Sequence, residues 1–339
     1  MLRSCKQALS SAALALIVLA IAPSATRAED KISFITNWTA EAEHGGFYQA
    51  VAAGIYKKYG LEVTLRQGGP STNTAQMLAA GAVDFRMGSN TGGALNYVKE
   101  GVPALVVAAF FQKEPSILMA HAGVGNDNLA ALKGKPIAIS RATIDTWWRF
   151  LVAKFGYTDD QIRPYTFNNG PFLVDKNLVQ QGYLTSEPYA IEKEGGFKPI
   201  IFLLADDAGY DSYSTTIETT VKLVTEKPDI VQRFVNASIE GWYAYLYGDP
   251  APGNALIVKD NPEMTAAQLA FSIDKMKTYG IVDSGDSLKL GIGAMTDARW
   301  KSFFDTAVSV GMYAKDLDYK KAYTLQFVNK GVGLDLKKN

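Results

Sequence analysis

Two rhythms of apolar and polar positions alternate along this chain. Residues 31–36 read as a first strand, with Ile32, Phe34 and Thr36 on one side and Ile35 on the other. Phe47, Val51, Ile55 and Tyr59 then recur every fourth residue, which predicts one helical stripe ended by Gly60. Leu61, Val63 and Leu65 alternate as a second strand. Gly68, Gly69 and Pro70 spell a turn, and Ser71 is the expected cap of a helix running to Ala80. Strands are expected at 83–87 and 104–110, with a helix over 91–100 between them.

The alternation restarts further on. A strand at 136–140 leads to a helix capped by Thr143 and ended by Gly156. Short apolar runs at 162–167, 183–185 and 199–204 predict a second, smaller sheet. From Lys227 the pattern turns helical, with Ile230, Phe234, Ala237 and Gly241 on one stripe. Trp242, Tyr243, Tyr245 and Tyr247 follow and read as core. Further helices are expected at 266–279, 298–310 and 319–328. Alternating strands and helices predict an α/β fold of parallel, doubly wound sheets. A chain that builds half a sheet, makes a second lobe and returns must cross between lobes twice. The expected crossings lie near 115–122 and 205–215. Lobe 1 then holds 29–117 plus 213–339 and lobe 2 holds 118–212, with a ligand cleft at the hinge.

The first 28 residues stand apart from this pattern. Arg3 and Lys6 precede an apolar, uncharged run at 12–22 that is too short to span a bilayer comfortably. Thr26-Arg27-Ala28 offers a cleavage site, so residues 1–28 are read as a secretory signal peptide and the mature protein as periplasmic. Removal takes three basic residues and no acid, so a formal charge of 0 becomes −3. A slightly acidic exported protein is a poor candidate for nucleic-acid binding. Cys5, the single cysteine, leaves with the signal, which removes disulfides, cysteine nucleophiles and zinc–cysteine sites from consideration. His44 and His121 share no metal-ligand spacing. No Gly-x-Ser-x-Gly, His-Glu-x-x-His or phosphate-loop motif is present, so no catalytic residue, metal or cofactor is assigned.

Several motifs agree in order with one family. They are Asn37-Trp38 followed by His44-Gly45 and Phe47-Tyr48, then Gly54-Ile55-Tyr56 with Tyr59-Gly60-Leu61-Glu62-Val63. Gly81-Ala82-Val83-Asp84-Phe85, Leu132-Lys133-Gly134-Lys135 and Ser186-Glu187-Pro188-Tyr189 follow. The return helix carries Pro228, Arg233, Phe234, Ala237 and Trp242 in step. In these the chain resembles the periplasmic solute-binding proteins of ABC importers with the type II fold. It is most similar to the branch that binds thiamine-pyrimidine precursors, sulfonates and nitrate. The resemblance implies a monomer that closes on a small ligand and docks on membrane permease subunits. It also departs from the family at Gln180-Gln181-Gly182-Tyr183-Leu184, where an acid often follows the glycine.

The expected ligand-binding residues sit at strand-to-helix junctions, where open α/β sheets bind small molecules. In the first lobe they are Asn37, Trp38, His44, Ser89, Asn90 and Thr91; in the second they are Arg141, Thr143, Asp145, Trp148, Glu187 and Tyr189; Tyr213 lies by the second crossing. Trp38 offers an indole face to a flat ring, or else plugs the core. His44 can donate to or accept from a heterocycle, or bond to its own loop. The start of the 91–100 helix can hold a carbonyl or simply be capped. Of the neighbours Trp147 and Trp148, one faces the cleft and one packs. Glu187 can accept from an amino group, or balance a helix dipole. Arg141 is a candidate partner for an anion, or for a neighbouring carboxylate.

Two readings follow. The preferred one is capture of a planar polar heterocycle such as a thiamine-pyrimidine precursor, with a sulfonate, taurine or nitrate-type anion as the alternative. The rival is an enzyme, since some relatives of this fold make the thiamine pyrimidine from a histidine and bound pyridoxal phosphate. That chemistry is associated with a cysteine-rich iron motif, which this chain lacks, and export also argues against it.

Overall fold

The computed structural model describes residues 29–69 and 71–337. The expected signal peptide lies outside the described residues, as does Pro70. Among the described residues, ten strands form two five-stranded sheets. The first has the order β2-β1-β3-β10-β4, from β1 (Asp30–Ile35), β2 (Leu61–Arg66), β3 (Phe85–Asn90), β4 (Ala104–Phe111) and β10 (Ser214–Thr220). The second has the order β7-β6-β8-β5-β9, from β5 (Ser116–Ala120), β6 (Ile137–Ile139), β7 (Ile162–Pro164), β8 (Val179–Tyr183) and β9 (Ile200–Leu203).

The sheets are mixed, not purely parallel. β10 runs antiparallel to β3 and β4, and β5 antiparallel to β8 and β9. Each is the first strand laid down after a crossing. The chain leaves one sheet at the cleft and enters the other from the cleft side, so the entering strand opposes its neighbours. The crossings occupy residues 112–115 and 204–213, and the expected boundary at 117/118 falls inside β5.

Every residue of β4 is buried, although β4 lies at the sheet edge. The C-terminal segment covers that edge through bridges at Tyr323 and Gly293, which blunts an otherwise apolar strand. Between β3 and β10, Arg86 pairs with Glu218 at 2.6 Å, both buried. A β-carbon at position 88 would collide with the Glu218 carboxylate, so glycine is required there.

Local differences from the sequence reading have local causes. The stripe from Phe47 to Tyr59 is two helices, Gly45–Ala52 and Ile55–Lys58, because Gly54 adopts φ 67° between them. Asn73, not Ser71, caps the next helix, accepting from Gln76 N at 3.1 Å. The helix Ala251–Asp260 has no counterpart in the sequence reading, and residues 319–328 hold only a short 3-10 turn, Tyr319–Ala322. The long helix Pro228–Tyr247 buries Trp242 and Tyr245 against the helix Gly45–Ala52 and turns Tyr243 to the C-terminal segment, where its hydroxyl accepts from Ile292 N at 3.1 Å. Gly45, Gly46 and Gly241 permit that close crossing, since a β-carbon at any of them would overlap its neighbour. The crossing fixes the segment just before it, residues 41–44, at the mouth between the lobes. No helix among the described residues is long and apolar enough to cross a membrane.

Candidate ligand-binding site

A pocket opens between the two sheets where their parallel strands end. It holds about 590 Å³ of space, counted with the solvent at its open side. From lobe 1 it takes Asn37 and Trp38 after β1, Glu41 and His44 before the first helix, and Ser89 and Asn90 at the end of β3. From lobe 2 it takes Ser116 at the start of β5, Ser140, Ala142, Thr143 and Trp147 beyond β6, then Gln181, Gly182, Tyr183 and Glu187 at the end of β8.

Hydrogen bonds fix most of the polar lining. Asn37 Nδ2 donates to Ser89 Oγ at 3.0 Å. Asn90 Oδ1 caps its helix by accepting from Gly93 N at 3.3 Å, and also accepts from Tyr210 at 3.2 Å. Gln181 Oε1 accepts from Ser140 N at 2.7 Å and from Thr143 Oγ1 at 3.0 Å. Glu187 Oε1 accepts from the Tyr165 hydroxyl at 3.0 Å and its Oε2 from Tyr183 N at 2.7 Å. Gly182 makes this possible: a β-carbon there would lie 2.9 Å from Glu187 Cβ.

The lobes also touch directly. The Thr185 hydroxyl, in the loop after β8, donates to the Glu43 carboxylate of lobe 1, and Thr185 O accepts from Ser272 Oγ at 2.7 Å. Trp38 lies edge-on to Phe167 of lobe 2, with 6.0 Å between ring centroids.

Buried titratable groups, pushed toward their uncharged forms, dominate the electrostatics. Burial raises the pKa of Glu187 to about 7, with repulsion from Glu43 adding to it. Burial raises Glu41 well above the carboxylate range, and both Glu43 and Glu187 push it further. Glu43 is also raised, by burial. Glu114, behind Ser116, is raised by burial to about 7. Burial lowers His44 to about 3, so its ring is neutral at ordinary pH. No lysine or arginine is among the described lining residues.

Of the residues singled out in the sequence, seven meet here: Asn37, Trp38, His44, Ser89, Asn90, Thr143 and Glu187. Six do not. Thr91 is turned to the second crossing, its Oγ1 accepting from Tyr213 N at 3.1 Å. Arg141 and Asp145 are exposed and outside the lining. Trp148 packs inward, donating from Nε1 to Asp159 at 2.9 Å. Tyr189 stacks obliquely on Phe271, 5.1 Å between centroids. Tyr213 faces the C-terminal helices, accepting from Thr296 N at 3.0 Å beneath Arg299.

Trp147 takes the place expected for Trp148. The turn Ile144–Trp148 is π-helical, and Thr146 departs from helical geometry at φ −122°, ψ −112°. The wide turn shifts the helix phase and brings Trp147 to the pocket, a device common at functional sites. No 3.6-residue pattern announces it. Glu41 is a lining residue that sequence reasoning missed, although its place three residues before His44 on the same short loop is a legible signal.

Comparison with known proteins places the chain. The pattern defining the NMT1/THI5-like family matches residues 41–252. The chain belongs to the NMT1/THI5-like family. This chain is 22% identical over 318 residues to a riboflavin-binding protein of Chloroflexus aurantiacus, covering 91% of this chain and 89% of that one. Over 56 residues, 16% of either chain, it is 36% identical to a 4-amino-5-hydroxymethyl-2-methylpyrimidine phosphate synthase of Aspergillus parasiticus. The periplasmic nitrate-binding protein of Synechocystis superposes with a TM-score of 0.66 at 12% identity, covering 91% of this chain and 89% of that one. The NMT1/THI5-like chain thus has the two-lobed periplasmic-binding-protein fold.

Proposed function

We propose that this protein is the extracytoplasmic solute-binding component of an ABC importer, and that its cargo is a small planar nitrogen heterocycle rich in N–H groups. The lobes close on the ligand and present it to a membrane permease. One observation carries the ligand class: the inter-lobe pocket offers two carboxylates, Glu41 and Glu187, between aromatic walls, and no cationic side chain among its described lining. Burial favours the protonated acids, and a ring that presents several N–H donors, of the aminopyrimidine type, is the partner that would favour their ionised, acceptor-only form. Trp38, Trp147 and Tyr183 supply flat surfaces for it.

The same observation weighs against the anion alternative. A sulfonate or nitrate would enter beside two acids, with Arg141 exposed outside the pocket. Pyridoxal phosphate fits no better, because its phosphate would meet those acids without a lysine or arginine among the described lining residues. A flavin is the second reading, favoured by the full-length similarity to a riboflavin-binding protein and by the aromatic walls. An isoalloxazine ring presents one N–H and two carbonyls, which suits paired carboxylates less well than an amine does. Export to the periplasm rests on the leader at 1–28, and a monomer is expected for this architecture.

A thermal-shift titration of the mature protein with 4-aminopyrimidines, thiamine, riboflavin, taurine and nitrate tests the reading, with calorimetry on any hit. A concentration-dependent rise with the amine-bearing rings is expected. A rise with taurine or nitrate and none with the amines would overturn it.

A further inference from the structure

Three carboxylates converge on this pocket from both lobes. Glu41 and Glu187 line it, and Glu43 stands behind them on the short turn Ala42–His44. All three are buried. Glu43 holds Thr185 through one oxygen, while its Oε2 has no hydrogen-bond partner among the described residues. The groups facing them are Tyr165 and Tyr183 on Glu187, Thr185 on Glu43, Glu114 behind Ser116, and the neutral ring of His44. None of these is a cation. Carboxylates gathered out of water are strongly unfavourable unless protonated or balanced by positive charge.

A second observation is independent of charge. His44 and Trp147 both line the pocket, and each is 1% exposed. His44 Nδ1 and Trp147 Nε1 have no hydrogen-bond partner among the described residues. Trp242 and Trp300 in the core also leave Nε1 without a partner, but His44 and Trp147 do so on the pocket wall, where a ligand can complete them.

We infer that the cargo is bound as a cation: a planar ring carrying a protonated or quaternary nitrogen against Glu41 and Glu187, with an acceptor atom for Trp147 Nε1–H. The inference rests on the heterocycle reading and deepens it by fixing the charge of the ligand. Binding replaces protons held by the acids with the ligand's own charge. The cation is then favoured at high pH and loses its advantage as the carboxylates protonate.

Calorimetry with two matched probes separates the possibilities. The first is 4-amino-1,2-dimethylpyrimidinium, a permanent cation; the second is neutral 4-amino-2-methylpyrimidine. The cation is expected to bind about tenfold tighter near pH 8, a modest fraction of the attraction between near charges in a protein. The permanent cation's own affinity should fall from pH 8 to pH 5, where the second probe gains a ring proton and no longer serves as the neutral reference, and the gap at pH 8 should narrow in Glu41→Gln. The wild-type pH series stands by itself if that variant folds poorly. Equal or tighter binding of the neutral probe at high pH overturns the cation while leaving the heterocycle reading in place. Binding of neither probe, with taurine or riboflavin bound instead, overturns both.

Discussion

Glu187→Gln isolates the energetic consequence of burying acid at this site. The side chain is 7% exposed, and its pKa is raised from the usual 4.5 to about 7, first by burial and then by Glu43. A carboxyl raised on folding holds its proton more tightly in the folded state. Its contribution is therefore fully present below pH 4.5 and is lost as pH rises through 7. The span corresponds to about 3 kcal/mol, of which roughly 2.5 kcal/mol falls between pH 5 and pH 8. A glutamine amide at this position cannot titrate, yet its oxygen still accepts from Tyr183 N or Tyr165. Glu114 follows the same direction, whereas His44, lowered to about 3, destabilises the fold as pH falls below its usual 6.5. The informative quantity is consequently variant minus wild type at each pH. Urea denaturation at pH 5 and pH 8 should show the variant gaining about 2.5 kcal/mol on the wild type at the higher pH. Parallel pH profiles for the two proteins would refute the claim that Glu187 is buried without a compensating charge.

Other perturbations test the site from different sides. Trp38→Ala should weaken ligand binding by roughly 1–3 kcal/mol in calorimetry if the indole stacks on a ring, as for base–aromatic contacts; unchanged affinity removes Trp38 from the site. Gly182→Ala forces its β-carbon onto Glu187 and should displace that carboxylate, so affinity should fall at least as clearly as melting temperature. Thr185→Val leaves the Glu43 carboxylate without its inter-lobe donor and should destabilise the ligand-free protein by about 1–3 kcal/mol in denaturant titration. Arg141→Ala should leave affinity unchanged, and a marked loss would return the anion reading to consideration.

The chain's own periodicities determined the architecture. Strands beginning near Lys31, Leu61 and Ala104 and the helix over Thr91–Glu100 were legible because alternation and fourfold spacing are local consequences of burying one face. So were the junctions at Asn37, Ser89 and Glu187, because strand ends carry ligands in this class of fold. Of the motifs that resemble solute-binding proteins, Asn37-Trp38, Leu61-Glu62-Val63 and Ser186-Glu187-Pro188-Tyr189 lie on those same elements. Tertiary structure decided the rest. The antiparallel direction of β5 and β10 follows from the side on which the chain enters each sheet, which a strand's own residues do not encode. The choice of Trp147 over Trp148 follows from a π turn at Thr146. The acidity of the pocket arises because Glu41 and Glu43 come from one lobe and Glu187 from the other, more than a hundred residues along the chain, and only folding brings them together away from water. A sequence lists acids and bases in equal number; burial and proximity decide which of them stand without a partner.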